Sequence, residues 1–142
     1  MKKICFFLIL FNIIISYCFS QDVKNVTIEI TNVTVRGGMV YLAIFTDAEE
    51  FRKEEPKYMF ELEDISTVLS QVVTLPHGYY LISAFQDAND NKQLDFGFLG
   101  IPRELVAMSN YDGRGLPTRN FDRQKTAVNS ATDKISVGLH KF

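Results

Sequence analysis

Beyond residue 20 the chain has no cysteine, and it has no tryptophan anywhere. The first absence excludes disulfides, thiol nucleophiles and thiolate metal sites from residues 21–142, since Cys5 and Cys18 both lie upstream. The second weakens a carbohydrate-platform reading, because Trp offers the largest flat apolar face. Histidine is scarce: His77 and His140 are the two, and neither has a Ser, Cys or acid at a diagnostic spacing. That argues against a catalytic or zinc role for either. Excess positive charge is also missing. Residues 21–142 carry 13 Lys and Arg against 17 Asp and Glu, a net charge of −4. Such a domain is a poor candidate for nucleic acid or for anionic lipid surfaces. The longest unbroken apolar run beyond residue 20 is Met39–Phe45, too short for a membrane span.

The N-terminus is read as a leader. Lys2 and Lys3 precede an almost entirely apolar stretch from Ile4 to Ile15, interrupted by Asn12. Its length suits a signal-peptide core, with cleavage after Ser20 and Gln21 as the new N-terminus. The rival reading acylates Cys18, but Tyr17 stands where a lipidated cysteine needs a small neighbour. Residues 1–20 are therefore expected to be a signal peptide and residues 21–142 one domain, long enough for a single core. The product is exported, whether periplasmic, outer-membrane associated or secreted, and without a membrane span after cleavage.

The domain reads as all-β. Val26, Ile28 and Ile30 alternate with Thr27, Glu29 and Thr31, the period of a half-buried strand. Met39–Phe45 suits a central strand buried on both faces. Asp47–Glu55 is charged, with Asp47 and Glu50 at capping-box spacing, which points to a helical turn or a loop with Phe51 packed inward and Pro56 ending it. Further strands are expected over Tyr58–Leu62, Thr67–Leu75, Tyr79–Gln86 and Phe121–Val128. A separate final strand follows, in which Ile135, Val137 and Leu139 face inward while Lys134, Ser136 and His140 face out. Lys92–Leu116, with four glycines and Pro102, is expected to be irregular. About seven short strands separated by turns predict a single antiparallel β-sandwich.

The chemistry concentrates in Asp87-Ala88-Asn89-Asp90-Asn91-Lys92-Gln93-Leu94-Asp95. Side-chain oxygens at relative positions 1, 3, 5 and 9 match the opening of an EF-hand-type loop that wraps Ca²⁺. Asp87, Asn89, Asn91 and Asp95 would supply side-chain oxygens, and Gln93 its carbonyl. Ca²⁺ takes about six to eight oxygens. The twelfth position, where an EF-hand has its bidentate acid, is Phe98, so Glu104 is the acid expected to complete the set, with Asp90 second. So few carboxylates imply weak affinity, on the order of 10⁻⁴–10⁻³ M. The competing reading is a polar turn whose Asp and Asn side chains cap their own backbone. Gly100-Ile101-Pro102-Arg103-Glu104 could serve as a recognition loop, but is read first as a rigid connector that packs Ile101 beneath the ladder. Phe96, Phe98 and Tyr111 would mark a binding patch if exposed.

Leu75-Pro76-x-Gly78-Tyr79-Tyr80, the apolar strand after it, the ladder, Gly100-Ile101-Pro102-Arg103-Glu104 and Ser109-Asn110 together resemble a bacterial exported family catalogued as domain of unknown function 2141. The likeness extends from about Val26 to the C-terminus. It implies a small sandwich of transthyretin-like or immunoglobulin-like type and carries no established activity. Two departures stand out. Lys92 occupies a position where the family usually has Gly, which works against ideal loop closure. Ala107-Met108 precedes Ser109 where an aromatic or Gly is usual.

The leading functional expectation is an exported, non-enzymatic module in which Ca²⁺ orders a surface for a ligand or partner. The alternative is a metal-independent module for a glycan or envelope protein. A hydrolase using Glu104, Asp95 or His77 in a shared cleft ranks lowest.

Overall fold

The computed structural model describes residues 22–142, and the expected leader and Gln21 lie outside the described residues. Eight strands form two sheets, joined by two short α-helices and a 3-10 turn at Phe98–Gly100: β1 Val23–Thr31, β2 Val40–Phe45, α1 Ala48–Lys53, β3 Tyr58–Leu62, β4 Val68–Pro76, β5 Gly78–Gln86, β6 Leu105–Met108, α2 Phe121–Gln124, β7 Thr126–Val128 and β8 Lys134–Gly138. The first sheet has the order β4-β1-β8 and the second β3-β2-β5-β6. β7 pairs with Gly78–Tyr80 at the start of β5, and β6 with Ser83–Gln86 at its end.

Alternation sets which face of each strand goes inside. Val26, Ile28 and Ile30 of β1 and Leu69, Val73 and Leu75 of β4 meet Val40, Leu42 and Ile44 of β2 and Tyr80, Ile82 and Ala84 of β5 in one core. Fully burying each of the larger of these side chains stabilises the fold by about 1.5–3 kcal/mol. Among the described residues this core runs from Val26 to Leu139. The architecture is sandwich-like and mostly β, as the strand pattern predicts.

Four details differ from the sequence reading. The strands number eight, one more than the seven segments singled out in the sequence. One pairing is parallel: β8 lies beside β1 with Ile28 opposite Ile135, because the chain crosses back over the sandwich before entering the first sheet. β6 falls within Lys92–Leu116, expected to be irregular. Phe121–Val128 is a strand only from Thr126; before that, Asn120 caps a helical turn by accepting from the Arg123 N–H at 3.1 Å.

α1 matches its expectation with one shift. Asp47 Oδ1 accepts from the N–H groups of Glu49 and Glu50 at 2.8 and 2.9 Å. Glu50 reaches back to the N–H of Thr46, at 2.7 Å, one residue earlier than a capping box requires. Phe51 packs edge-on against Phe45, with ring centroids 5.3 Å apart. One side of the molecule is closed by a two-way backbone bridge between Val106 and His140, at 3.0 and 2.9 Å. On the other side, β3 and β4 end their sheets. Among the described residues no helix is long and apolar enough to cross a membrane.

Candidate functional site

The ladder leaves the end of β5 under tight control. Gln86 is buried, and its side-chain amide accepts from Thr34 N at 3.0 Å while donating to the carbonyls of Thr34 and Gly38 at 2.7 and 3.0 Å. Asp87 N donates to Met39 O at 2.8 Å. The approach is so close that a Cβ on Gly38 (φ +110°) would lie 1.7 Å from the Asp87 carbonyl oxygen. Only glycine fits both that conformation and that contact. The turn before β2 and the start of the ladder thus form one rigid junction.

From this junction Asp87 organises the loop. Its carboxylate is 1 % exposed. Oδ1 accepts from Asn89 N and Asn91 N at 3.2 and 3.3 Å, and Oδ2 from Lys92 N at 2.7 Å. Asn89 Oδ1 accepts from Asn91 N at 3.2 Å, and Asn91 Oδ1 from Gln93 N at 2.9 Å. These are Asx turns, in which a short polar side chain stands in for a backbone acceptor two residues away. Asp90 and Lys92 adopt left-handed φ of 58° and 61°. The side-chain amides of Asn89 and Asn91 converge on Asp95 Oδ2 at 2.6 and 3.1 Å.

Glu104 closes the far side. It is 5 % exposed; Oε1 accepts from Ala88 N at 2.9 Å and Oε2 from Asp95 N at 3.3 Å. Five backbone N–H groups therefore solvate two buried carboxylates. Neither carboxylate forms an ion pair among the described residues.

The fold gathers Asp87, Asn89, Asn91, Asp95 and Glu104 as the spacing suggested, and Glu104 does reach the ladder. The orientation differs from a ready-made ligand cage. The amide oxygens of Asn89 and Asn91 face backbone N–H groups, while their NH₂ groups face Asp95. Gln93 takes part through its N–H. Asp90 is exposed. Among the described residues no cluster of three or more His, Cys, Asp and Glu side chains forms a metal-holding set. A donor set of two buried carboxylates, a third at the rim and two side-chain amides still offers the hard oxygens that Ca²⁺ prefers. Rotating either amide by 180° turns its oxygen toward Asp95.

Beyond the ladder the chain forms a narrow hairpin. Arg103 N donates to Asp95 O at 2.8 Å and Gly97 N to Ile101 O at 2.7 Å, with Phe96 bridged to Pro102. Pro102 is buried and Ile101 half-buried. Arg103 forms no ion pair among the described residues. Leu99 sits at φ 62°. The hairpin end is bare: Phe98 is 86 % exposed, Leu99 79 % and Phe96 45 %. Tyr111 is half-buried against His140 and Phe142.

Three contributors escaped sequence reasoning. Gln86 and Gly38 act through contacts with the turn before β2, far away in sequence. Tyr41 lies buried in β2, stacked on Phe85 at 5.1 Å. Burial raises its phenol pKa first, the neighbouring Glu61 next; Asp87 and Asp90 also raise it, and Lys92 opposes them. Only Gly38, in an Arg-Gly-Gly turn, left a visible signal. Ser109 and Asn110 are joints. Buried Ser109 Oγ accepts from Ile82 N at 3.0 Å and donates to Gln124 O at 2.5 Å, and Asn110 donates to Lys125 O at 2.6 Å.

The family model described as "Uncharacterized protein conserved in bacteria (DUF2141)" matches residues 28–136, from within β1 to within β8, a range that includes the ladder and the hairpin. Neither the curated proteins nor the solved structures provide a match. With most of the chain spanned by one family model, the protein belongs to the DUF2141 family of uncharacterised bacterial proteins.

Proposed function

We propose that residues 21–142, exported by the leader at 1–20, act as a non-enzymatic binding module of the bacterial envelope or its surroundings. The Asp87–Glu104 loop is its recognition element, and Ca²⁺ bound weakly by Asp87, Asn89, Asn91, Gln93, Asp95 and Glu104 orders it. One observation carries this reading: the loop is locked at its neck and bare at its tip. Two buried carboxylates without cationic partners hold a hairpin whose end gives Phe98 and Leu99 to water. A cation offsets such carboxylates where no Lys or Arg does.

A metal-independent module for a glycan or envelope protein is the second reading. It is favoured by the ladder's closure through its own hydrogen bonds. Of the two sandwich types, we propose the transthyretin-like one. An immunoglobulin arrangement would put strands 1, 2, 4 and 5 in one sheet and 3, 6 and 7 in the other, unlike the pairing found here.

Thermal unfolding of residues 21–142 with and without a few millimolar Ca²⁺ tests the ion. A ligand that binds only the native state stabilises it by RT ln(1 + [L]/Kd), so even a weak site raises the midpoint at that concentration. The expected result is a rise with Ca²⁺, smaller with Mg²⁺, that disappears in a variant carrying both Asp87→Ala and Asp95→Ala. An unchanged midpoint rejects the ion and leaves the metal-independent module.

A further inference from the structure

We infer that the Phe98–Leu99 tip docks on an anionic phospholipid bilayer, with these two side chains at the headgroup–acyl boundary and Arg103 and Lys141 on lipid phosphates. The inference rests on the reading of this loop as the recognition surface and does not depend on its ion.

The tip is a small, protruding, apolar end on a stiff neck. Phe98 and Leu99 are adjacent and are the two most exposed large apolar side chains in the described residues. The cross-links Gly97–Ile101 and Asp95–Arg103 hold the hairpin together below them. A stable protein interface needs about 800 Å² from each partner, more than two side chains supply. A bilayer interface moulds itself around a protrusion and rewards each buried apolar group by itself.

The charges at the neck have the complementary sign. The Arg103 side chain lies over Gly97, close enough that a Cβ there would be 3.4 Å from Nε. Lys141 Nζ donates to the Arg103 carbonyl oxygen, which places a second cation at the base of the hairpin. Neither cation has a carboxylate partner among the described residues. Asp90, Asp95 and the net charge of −4 oppose adsorption by charge alone. The apolar tip therefore carries most of the binding, and its salt dependence is shallow. The net charge, which argues against lipid surfaces in sequence, is an average over the domain, whereas docking depends on what surrounds the tip.

The test is sedimentation of residues 21–142 with vesicles of phosphatidylethanolamine and phosphatidylglycerol, alongside vesicles of phosphatidylcholine. The wild-type chain should bind the anionic vesicles more tightly. Phe98→Ser with Leu99→Ser should lower partitioning about tenfold or more. Arg103→Gln with Lys141→Gln should lower it about fivefold or more on anionic vesicles and leave phosphatidylcholine binding unchanged. Because Phe98 and Leu99 pack against little, their variant keeps the wild-type melting midpoint and any Ca²⁺-induced rise. The inference is overturned if the wild-type chain binds anionic vesicles no better than the Phe98/Leu99 variant. Loss of the Ca²⁺-induced rise with vesicle binding intact would overturn the ion alone.

Discussion

Replacing Asp87 with alanine removes one acceptor from three backbone N–H groups at once. Hydrogen bonds to a charged acceptor contribute roughly 1.5–3 kcal/mol each. The bonds from Asn89 and Asn91 are long, at 3.2 and 3.3 Å, and the one from Lys92 is short at 2.7 Å. Counting the long pair at the low end and allowing water to reach part of the opened loop, the loss is about 3–5 kcal/mol. A domain of this size has a total stability of about 5–15 kcal/mol, so the melting midpoint should fall by roughly 10–20 °C. Asp95→Ala is the control. Its carboxylate accepts two side-chain amides at an exposed rim, and the freed amides turn to water at a cost of about 1 kcal/mol or less. Urea unfolding of residues 21–142 in EDTA measures both variants without any ion. If Asp87→Ala and Asp95→Ala come out within about 1 kcal/mol of each other, Asp87 is not the hub of the loop and the Asx-turn account of the neck is wrong.

Lys92→Gly should stabilise the chain by up to about 1 kcal/mol in the same assay, because it relieves a left-handed side chain at φ 61° while adding freedom to the unfolded state; a destabilised variant refutes the strain argument. Gly38→Ala should cost more than about 2 kcal/mol, since its Cβ overlaps the Asp87 carbonyl and its φ is positive; a folded variant of unchanged midpoint would show that the junction is not tight. Burial raises the phenol pKa of Tyr41, Tyr80 and Tyr111, helped in turn by Glu61, Tyr58 and Asp112. The folded chain then keeps phenol protons that the unfolded chain releases near pH 10, so this stability is complete below that pH and lost as pH rises above it. Urea midpoints should fall above pH 10, less steeply in Tyr80→Phe, and a flat profile in the wild type would contradict the sign.

The strands that face one core were legible because their alternation is local. β1 and β4 show it in Val26-x-Ile28-x-Ile30 and Leu69-x-x-x-Val73-x-Leu75, and β2 shows the two-sided run of a central strand. β6 was hidden because Leu105-Val106-Ala107-Met108 is four residues long, without alternation, beside glycines that advertise irregular backbone. The parallel partnership of β8 with β1 was illegible for another reason. Inward-facing Ile135, Val137 and Leu139 specify a face, but not a neighbour or a direction. At Phe121 the apolar pattern outweighed a cap signal that was present, Asn120 just before a turn with Arg123 three residues on. The ladder was legible in its membership because oxygen-bearing residues at odd spacing are visible in one dimension. Which way each amide turns depends on Gly38, Gln86 and the buried side of β2, and none of these is near the ladder in sequence.

The register of the second sheet shows why the loop calls for a functional explanation. Gln86 and Leu105 are opposite each other in the ladder between β5 and β6. Two antiparallel strands that meet residue to residue need only about two to five residues to connect them. Here residues 87–104 intervene, and they place two carboxylates in the protein interior, where charge is costly to bury. Nothing in the pairing of β5 with β6 requires that cost. A shorter turn would remove the buried Asp87 and Glu104, the left-handed Asp90, Lys92 and Leu99, and the water-exposed Phe98 together. These features occur in one segment and have one geometric effect, which is to hold an apolar tip away from the sheets on a neck cross-linked by backbone hydrogen bonds. Shortening the loop to a tight turn between Gln86 and Leu105 should therefore leave the core and the pairing of β5 with β6 intact while abolishing vesicle binding. Collapse of the sandwich in that variant would make the loop a part of the scaffold and not its recognition element.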